Sequence, residues 1–188
     1  MMVQTLNKIL TLEEFLQLPE TKPASEYING QIIEKPMPQG KHSRIQAELI
    51  ITLNTVAKSQ KIAYAFPELR CTFGERSIVP DVVVLRWDKI PCDEDGDIAN
   101  ICLTYPDWTI EILSPNQNPI KVMGNIFYCL DNGSDLGWLI DPETKSVLVF
   151  YPQQQPLLLE TSEDILPVPE FLPELKLTVG DVFNWLKL

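Results

Sequence analysis

Pro80-Asp81-Val82-Val83-Val84-Leu85 and, further on, Trp108-Thr109-Ile110-Glu111-Ile112-Leu113 decide how this chain is read. Each run is short, apolar and rich in β-branched residues, so each reads as a strand, and each carries one carboxylate. An ionised side chain in a buried strand is costly unless a partner, a metal or a solvent-lined cleft compensates. Asp81 and Glu111 therefore need an explanation, and a divalent metal site would supply one. With a period of two, Trp108, Ile110 and Ile112 share one face of the second strand, and Thr109, Glu111 and Leu113 share the other. That strand stops at Ser114-Pro115.

Downstream, Asn118-Pro119 reads as a helix start, with Asn as N-cap and Pro at the first helical position. Ile120, Met123, Phe127 and Leu130 form the expected buried stripe, which leaves Lys121 at its edge with Gly124 and Tyr128 on its own side. Residues 131–134 end the helix. Residues 137–141 and 146–151 read as paired strands around the turn 142–145. The tail is proline-rich and closes with a short helix over residues 178–188, carrying Val182, Phe183, Trp185 and Leu186.

Upstream, residues 77–85 read as one strand, preceded by two short apolar segments broken at Pro67. Residues 42–58 follow a helical pattern with Ile45, Leu49, Thr52 and Val56 as the stripe and Leu53 beside it. His42, the only histidine, opens that helix. Asn29-Gly30 between apolar runs is a hairpin signal, because both turn residues need positive φ. A two-residue turn sets Ile28 opposite Gln31 and Glu26 opposite Ile33, so Glu26 lies on or near an apolar surface. Thr11-Leu12-Glu13-Glu14 has capping-box spacing. The order of elements is mixed α/β, a sheet with long helices on a face.

The chain has 188 residues and a net charge of −11. That length fits one domain over 1–188, with a core at about 10–150 and a C-terminal extension over 151–188. The acidity argues against broad, non-specific nucleic-acid binding, though a local cationic groove or a metal-neutralised cleft stays open. No apolar run approaches the roughly 18–20 residues that span a membrane, and the first ten residues lack a basic region followed by an apolar core. The expectation is a soluble, cytoplasmic protein with no membrane partner. Cys71, Cys92, Cys102 and Cys129 show no Cys-x-x-Cys pair and read as buried free thiols. The acidic run 92–97 lacks calcium-loop spacing and reads as surface.

Taken together, Thr11-Leu12-Glu13-Glu14-Phe15, Glu26-Tyr27-Ile28-Asn29-Gly30, His42 at a helix start, Pro80-Asp81-Val82-Val83-Val84, Pro106-Asp107 and Glu111-Ile112-Leu113-Ser114-Pro115 resemble the Uma (Uma-two) family of restriction endonucleases. That family lies within the PD-(D/E)XK nuclease superfamily. Lys121, Tyr128 and Trp138 through Asp141-Pro142 continue the resemblance, which covers roughly residues 10–150. It implies a restriction-endonuclease-like core, a mixed β-sheet flanked by α-helices, with Mg²⁺ (or Mn²⁺) at one end. Asp81 and Glu111 match the acidic ligands, and the Ile112 carbonyl is a natural third ligand. Leu113 stands where the superfamily has its lysine, and Lys121 matches the lysine moved into the next helix. Glu26, His42, Ser114 and Tyr128 would surround and orient this set. Two positions depart from the family pattern: residues 116–119 lack the aspartate usual before the lysine, and Gly137 replaces a tyrosine.

The implied activity is metal-dependent endonucleolytic hydrolysis of DNA, with a homodimer as the natural arrangement for cutting two strands. The tail and Trp185 offer a dimer contact or pack on their own domain. The alternative is a catalytically degenerate fold serving as a nucleic-acid-binding or protein-interaction module. In that case Asp81 and Lys121 form a plain buried ion pair and Glu111 faces water.

Overall fold

Asn29 and Gly30 take φ of 51° and 80°, as a two-residue hairpin turn requires. They join β1 (Ser25–Ile28) to β2 (Gln31–Glu34) in the expected register, Ile28 opposite Gln31 and Glu26 opposite Ile33. The computed structural model describes residues 10–188. Ahead of the hairpin, Thr11 caps α1 (Leu12–Leu16) through the capping box. After it come α2 (Gly40–Ala57), β3 (Ala63–Pro67), β4 (Cys71–Phe73), β5 (Arg76–Ile78), β6 (Val82–Arg86) and β7 (Trp108–Ile112). Then follow α3 (Pro119–Asp131), β8 (Leu136–Asp141), β9 (Ser146–Phe150), β10 (Leu157–Leu159) and α4 (Val179–Asn184).

The strands form two sheets, a four-stranded one ordered β2-β1-β5-β4 and a six-stranded one ordered β10-β9-β8-β7-β6-β3. In the larger sheet β7 and β8 are parallel and the other neighbours antiparallel. Parallel neighbours need a crossover, and α3 is that crossover. The expected mixed sheet flanked by helices is therefore present. Residues 77–85 do not form one strand, however. They pass from β5 in the small sheet to β6 in the large one, and the break at Val79-Pro80-Asp81 places Asp81 where the two sheets meet. Proline cannot donate to a ladder, which is why the strand ends there.

One face of the large sheet buries Trp108, Ile110 and Ile112 against Ile45, Leu49 and Leu53 of α2. Leu166, Leu172, Leu175, Val182 and Phe183 of the tail join the same core, and Trp185 packs against it. The tail side chains thus pack on their own chain. Trp108 and Trp138 meet edge to face at 4.6 Å, and Trp138 Nε1 donates to the Pro167 carbonyl at 3.0 Å.

The other face carries α3, through Val122, Ile126 and Leu130. Its buried stripe is Val122, Asn125, Ile126, Cys129 and Leu130, so the expected stripe is rotated: Ile120 and Phe127 are exposed. The polar Asn125 disguises the face, because it is buried by a hydrogen bond and not by apolarity. Gly137 lets α3 approach β8, since a Cβ there would collide with Ile126. The α2 stripe runs through His42, Ile45, Leu49, Leu53 and Ala57. No helix among the described residues is long and apolar enough to cross a membrane.

Candidate active site

The register that pairs β6 with β7 sets Val82 opposite Ile110, so the start of β6 lies beside the end of β7. Asp81 immediately precedes β6, and Glu111 is the next-to-last residue of β7. Both side chains are buried, at 3% and 2% exposure. Asp81 Oδ2 accepts the Ile112 backbone N–H at 2.7 Å. Its backbone carbonyl accepts from Gln46 Nε2 at 2.8 Å. The two carboxylates are joined by a residue that the sequence did not mark. Lys35 Nζ lies 2.8 Å from Asp81 Oδ1, 3.4 Å from Glu111 Oε2 and 2.7 Å from the Val79 carbonyl. Lys35 directly follows β2, so the hairpin delivers this ammonium.

Glu26 of β1 clamps the same junction from the other side. Its Oε1 accepts the Val79 backbone N–H at 2.8 Å, and its Oε2 accepts from Asn125 Nδ2 of α3 at 3.1 Å. His42 Nε2 lies 3.1 Å from Asp81 Oδ2 but lacks the alignment of a hydrogen bond. Burial lowers the His42 pKa, Asp81 opposing and Lys35 reinforcing. The imidazole is therefore neutral at pH 7, and the His42–Asp81 approach is not an ion pair. Ser114 is buried and holds the turn after β7 by donating its backbone N–H to Gln117 Oε1 at 3.0 Å.

Three buried acids share this site with one partly buried base, Lys35. Burial raises the Glu111 pKa well above the carboxylate range; Lys35 opposes that rise, and Asp81 and Glu26 add to it. For Lys35, burial opposes the charge, yet Glu111, Asp81 and Glu26 together outweigh it and raise its pKa. Burial thus favours the neutral form of Glu111, and the surrounding carboxyls favour the charged form of Lys35. Glu111 Oε1 is buried without a partner, although a buried polar atom normally has one.

Lys121 stands elsewhere. It is exposed in the first turn of α3, lines the same cavity as Glu111, and makes no ion pair with a described residue. The expected direct contact with Asp81 and Glu111 is made by Lys35 in its place. Tyr128 is also occupied elsewhere: its hydroxyl donates to the Phe73 carbonyl at 2.8 Å and accepts from the Glu75 N–H at 2.9 Å. It therefore braces the β4–β5 turn, and Arg76 lies over its ring at 4.2 Å. Tyr128→Phe is expected to lower stability by about 0.5–1.5 kcal/mol, the net worth of a hydrogen bond whose partners can turn to water, and to leave metal affinity unchanged. Chemical denaturation and metal titration of the variant check both halves.

The family described as "Uma2: Putative restriction endonuclease" matches residues 12–180. The chain belongs to the Uma2 family. This Uma2 chain is also similar to a solved structure, described as a "putative nuclease belonging to DUF820" from Anabaena variabilis ATCC 29413. The two are 57% identical over 94% of this chain and 98% of that one, with a TM-score of 0.92. No curated protein matches.

The Uma2 resemblance implies a divalent ion, and the donor set can be tested against it. Among the described residues, no three His, Cys, Asp and Glu side chains converge as a ready cage. Mg²⁺ does not need one, because it is commonly held by one or two carboxylates with water completing the shell. Here Glu111 Oε1 has no protein partner, and the neighbouring donors are hard oxygens. When ionised, Asp81, Glu111 and Glu26 against Lys35 give three negative charges and one positive, a formal −2 that a divalent cation neutralises. The residues present therefore fit the ion.

Proposed function

We propose that this protein is a Mg²⁺- or Mn²⁺-dependent endodeoxyribonuclease of the PD-(D/E)XK type, hydrolysing phosphodiester bonds in DNA. The observation that carries this reading is the buried Asp81–Lys35–Glu111 cluster with its unpartnered Glu111 Oε1. The descriptions of the Uma2 family and of the similar Anabaena protein support the same class of activity. Asp81, Glu111 and the Ile112 carbonyl would hold the ion. When bound, such an ion polarises a phosphate oxygen and lowers the pKa of a coordinated water.

The chain's own residues supply the rest. The Ile112 N–H fixes the rotamer of Asp81 through Oδ2, and Glu26 ties the 79–81 segment to α3. Lys35 holds a permanent positive charge between the carboxylates, placed to stabilise negative charge that develops on a phosphate beside them. Neutral His42 fills the space next to Asp81 without competing for its charge. Lys121, at the wall of the same cavity, is placed to meet a phosphate oxygen of the substrate. We place the activity in the cytoplasm, where unbridged thiols such as Cys71, Cys92, Cys102 and Cys129 persist.

The test is cleavage of labelled DNA oligonucleotides with Mg²⁺ or Mn²⁺ and with excess EDTA. Cleavage that needs the ion supports the reading. Undiminished cleavage in EDTA, or none under any metal, removes it, the second outcome favouring a degenerate fold. Lys35→Met sharpens the assignment of roles. It is expected to lower cleavage by about a hundredfold or more, equivalent to about 2.7 kcal/mol. Metal affinity should hold or tighten, because a cation leaves the ion's ligands. A purely structural lysine would weaken both, so metal titration beside the rate measurement separates the two.

A further inference from the structure

The carboxylate cluster lies on a partition between two cavities. Asp81 lines one, of about 500 Å³, and Glu111 lines the other, of about 520 Å³. Lys35, Pro36 and Gln117 line both. The segment after β2 therefore crosses over the site while Gln117 faces it from the turn before α3, with Asp81 on one side of the partition and Glu111 on the other.

The Glu111 cavity is built for a polar, planar guest. The apolar residues Ile33 and Val122 stand beside the side-chain amides of Asn29 and Asn118, and Arg76 and Lys121 bring positive charge against the carboxylates of Glu26 and Glu34. The Oδ1 of Asn29 already accepts from Arg76 Nη2 at 3.2 Å and that of Asn118 from the Ile120 N–H at 3.0 Å, which leaves their side-chain N–H groups as donors for the acceptor edge of a nucleobase. Glu111 also lines this cavity, and its buried Oε1 has no partner. Cavities of this size are in the range that takes a single small molecule, and neither has room for stacked base pairs. The chain as a whole carries −11. Duplex binding rests on a broad basic surface that releases counterions, whereas a single strand can be held by a few cations and by base contacts inside a groove.

We infer that the site takes a single DNA strand, or an unpaired end of one, laid across the Lys35–Pro36 partition with one nucleoside seated in the Glu111 cavity. This rests on the nuclease reading and adds the form of its substrate. A single strand needs one cut and so one site, and does not call for the two-fold dimer that paired cuts in a duplex require.

Gly124 of α3 gives the test a handle. It lines the Glu111 cavity, and a Cβ built there meets nothing within 4 Å. Gly124→Trp fills the cavity, Gly124→Ala adds only a methyl, and Lys121→Glu reverses a wall charge. Fluorescence anisotropy would measure binding of a labelled single-stranded oligonucleotide and its matched duplex, with Ca²⁺ in place of Mg²⁺ and a gel to check that the strands stay intact. The wild type is expected to bind the single strand at least tenfold more tightly. Gly124→Trp and Lys121→Glu should each weaken that binding at least tenfold, and Gly124→Ala should leave it within twofold. Melting curves of each variant confirm folding, and Lys121→Glu carries the test if Gly124→Trp does not fold. Equal or tighter binding of duplex overturns the inference, as does undiminished single-strand binding by the folded variants. Absent cleavage with intact single-strand preference would strike the nuclease reading and leave this binding site standing.

Discussion

Glu111→Gln is expected to reduce metal-dependent cleavage by about a thousandfold or more, equivalent to about 4 kcal/mol of transition-state stabilisation. The substitution keeps the side chain's shape and removes the charge a divalent ion needs. Asp81→Asn should act in the same direction, because Asp81 supplies the other carboxylate. The two readouts of Glu111→Gln should part company. Glu111 pays a desolvation penalty for its charge, and its Oε1 has no partner. The metal-free melting temperature of Glu111→Gln should therefore equal or exceed that of the wild type. Reduced activity together with marked loss of stability would point to a packing role for Glu111.

Trp138→Ala is expected to have the largest effect on stability, about 3–5 kcal/mol. Trp138 is fully buried in the parallel pair at the middle of the large sheet. It stacks edge-on against Trp108 and donates to the Pro167 carbonyl. Truncation would leave a cavity, an unmet carbonyl and a tail detached from the sheet. For a chain of this size the melting temperature should fall by about 6–20 °C. A drop of under 2 °C would mean that the tail and the sheet do not share one core.

Much of this architecture is local and so legible in the chain. The Asn29-Gly30 turn sets its register through positive φ, and the alternation of residues 108–113 assigns Glu111 to the face opposite Trp108. The carboxylates stood out for the same reason, as charges inside apolar strands. What the sequence hid is non-local. Lys35 lies 46 and 76 residues from the carboxylates it bridges, and no spacing rule spans such distances. The apolar pattern of α3 is out of phase with its buried face because Asn125 is buried through its bond to Glu26, 99 residues away. Polarity hid the true face of that helix. The strand expected over residues 77–85 concealed the step between sheets that carries Asp81 into the site.

The central claim is that Asp81 and Glu111 together hold a divalent ion. Isothermal titration of Mg²⁺ and Mn²⁺ into the metal-free protein, into Asp81→Asn and into Glu111→Gln tests it directly. Burial raises the Glu111 pKa, so a proton must leave before the ion binds, and apparent affinity should rise with pH until that pKa is passed. One ion per chain, bound more tightly as pH rises and lost in either variant, is the predicted result. Wild-type affinity retained in both variants, or no binding at any pH, would contradict it.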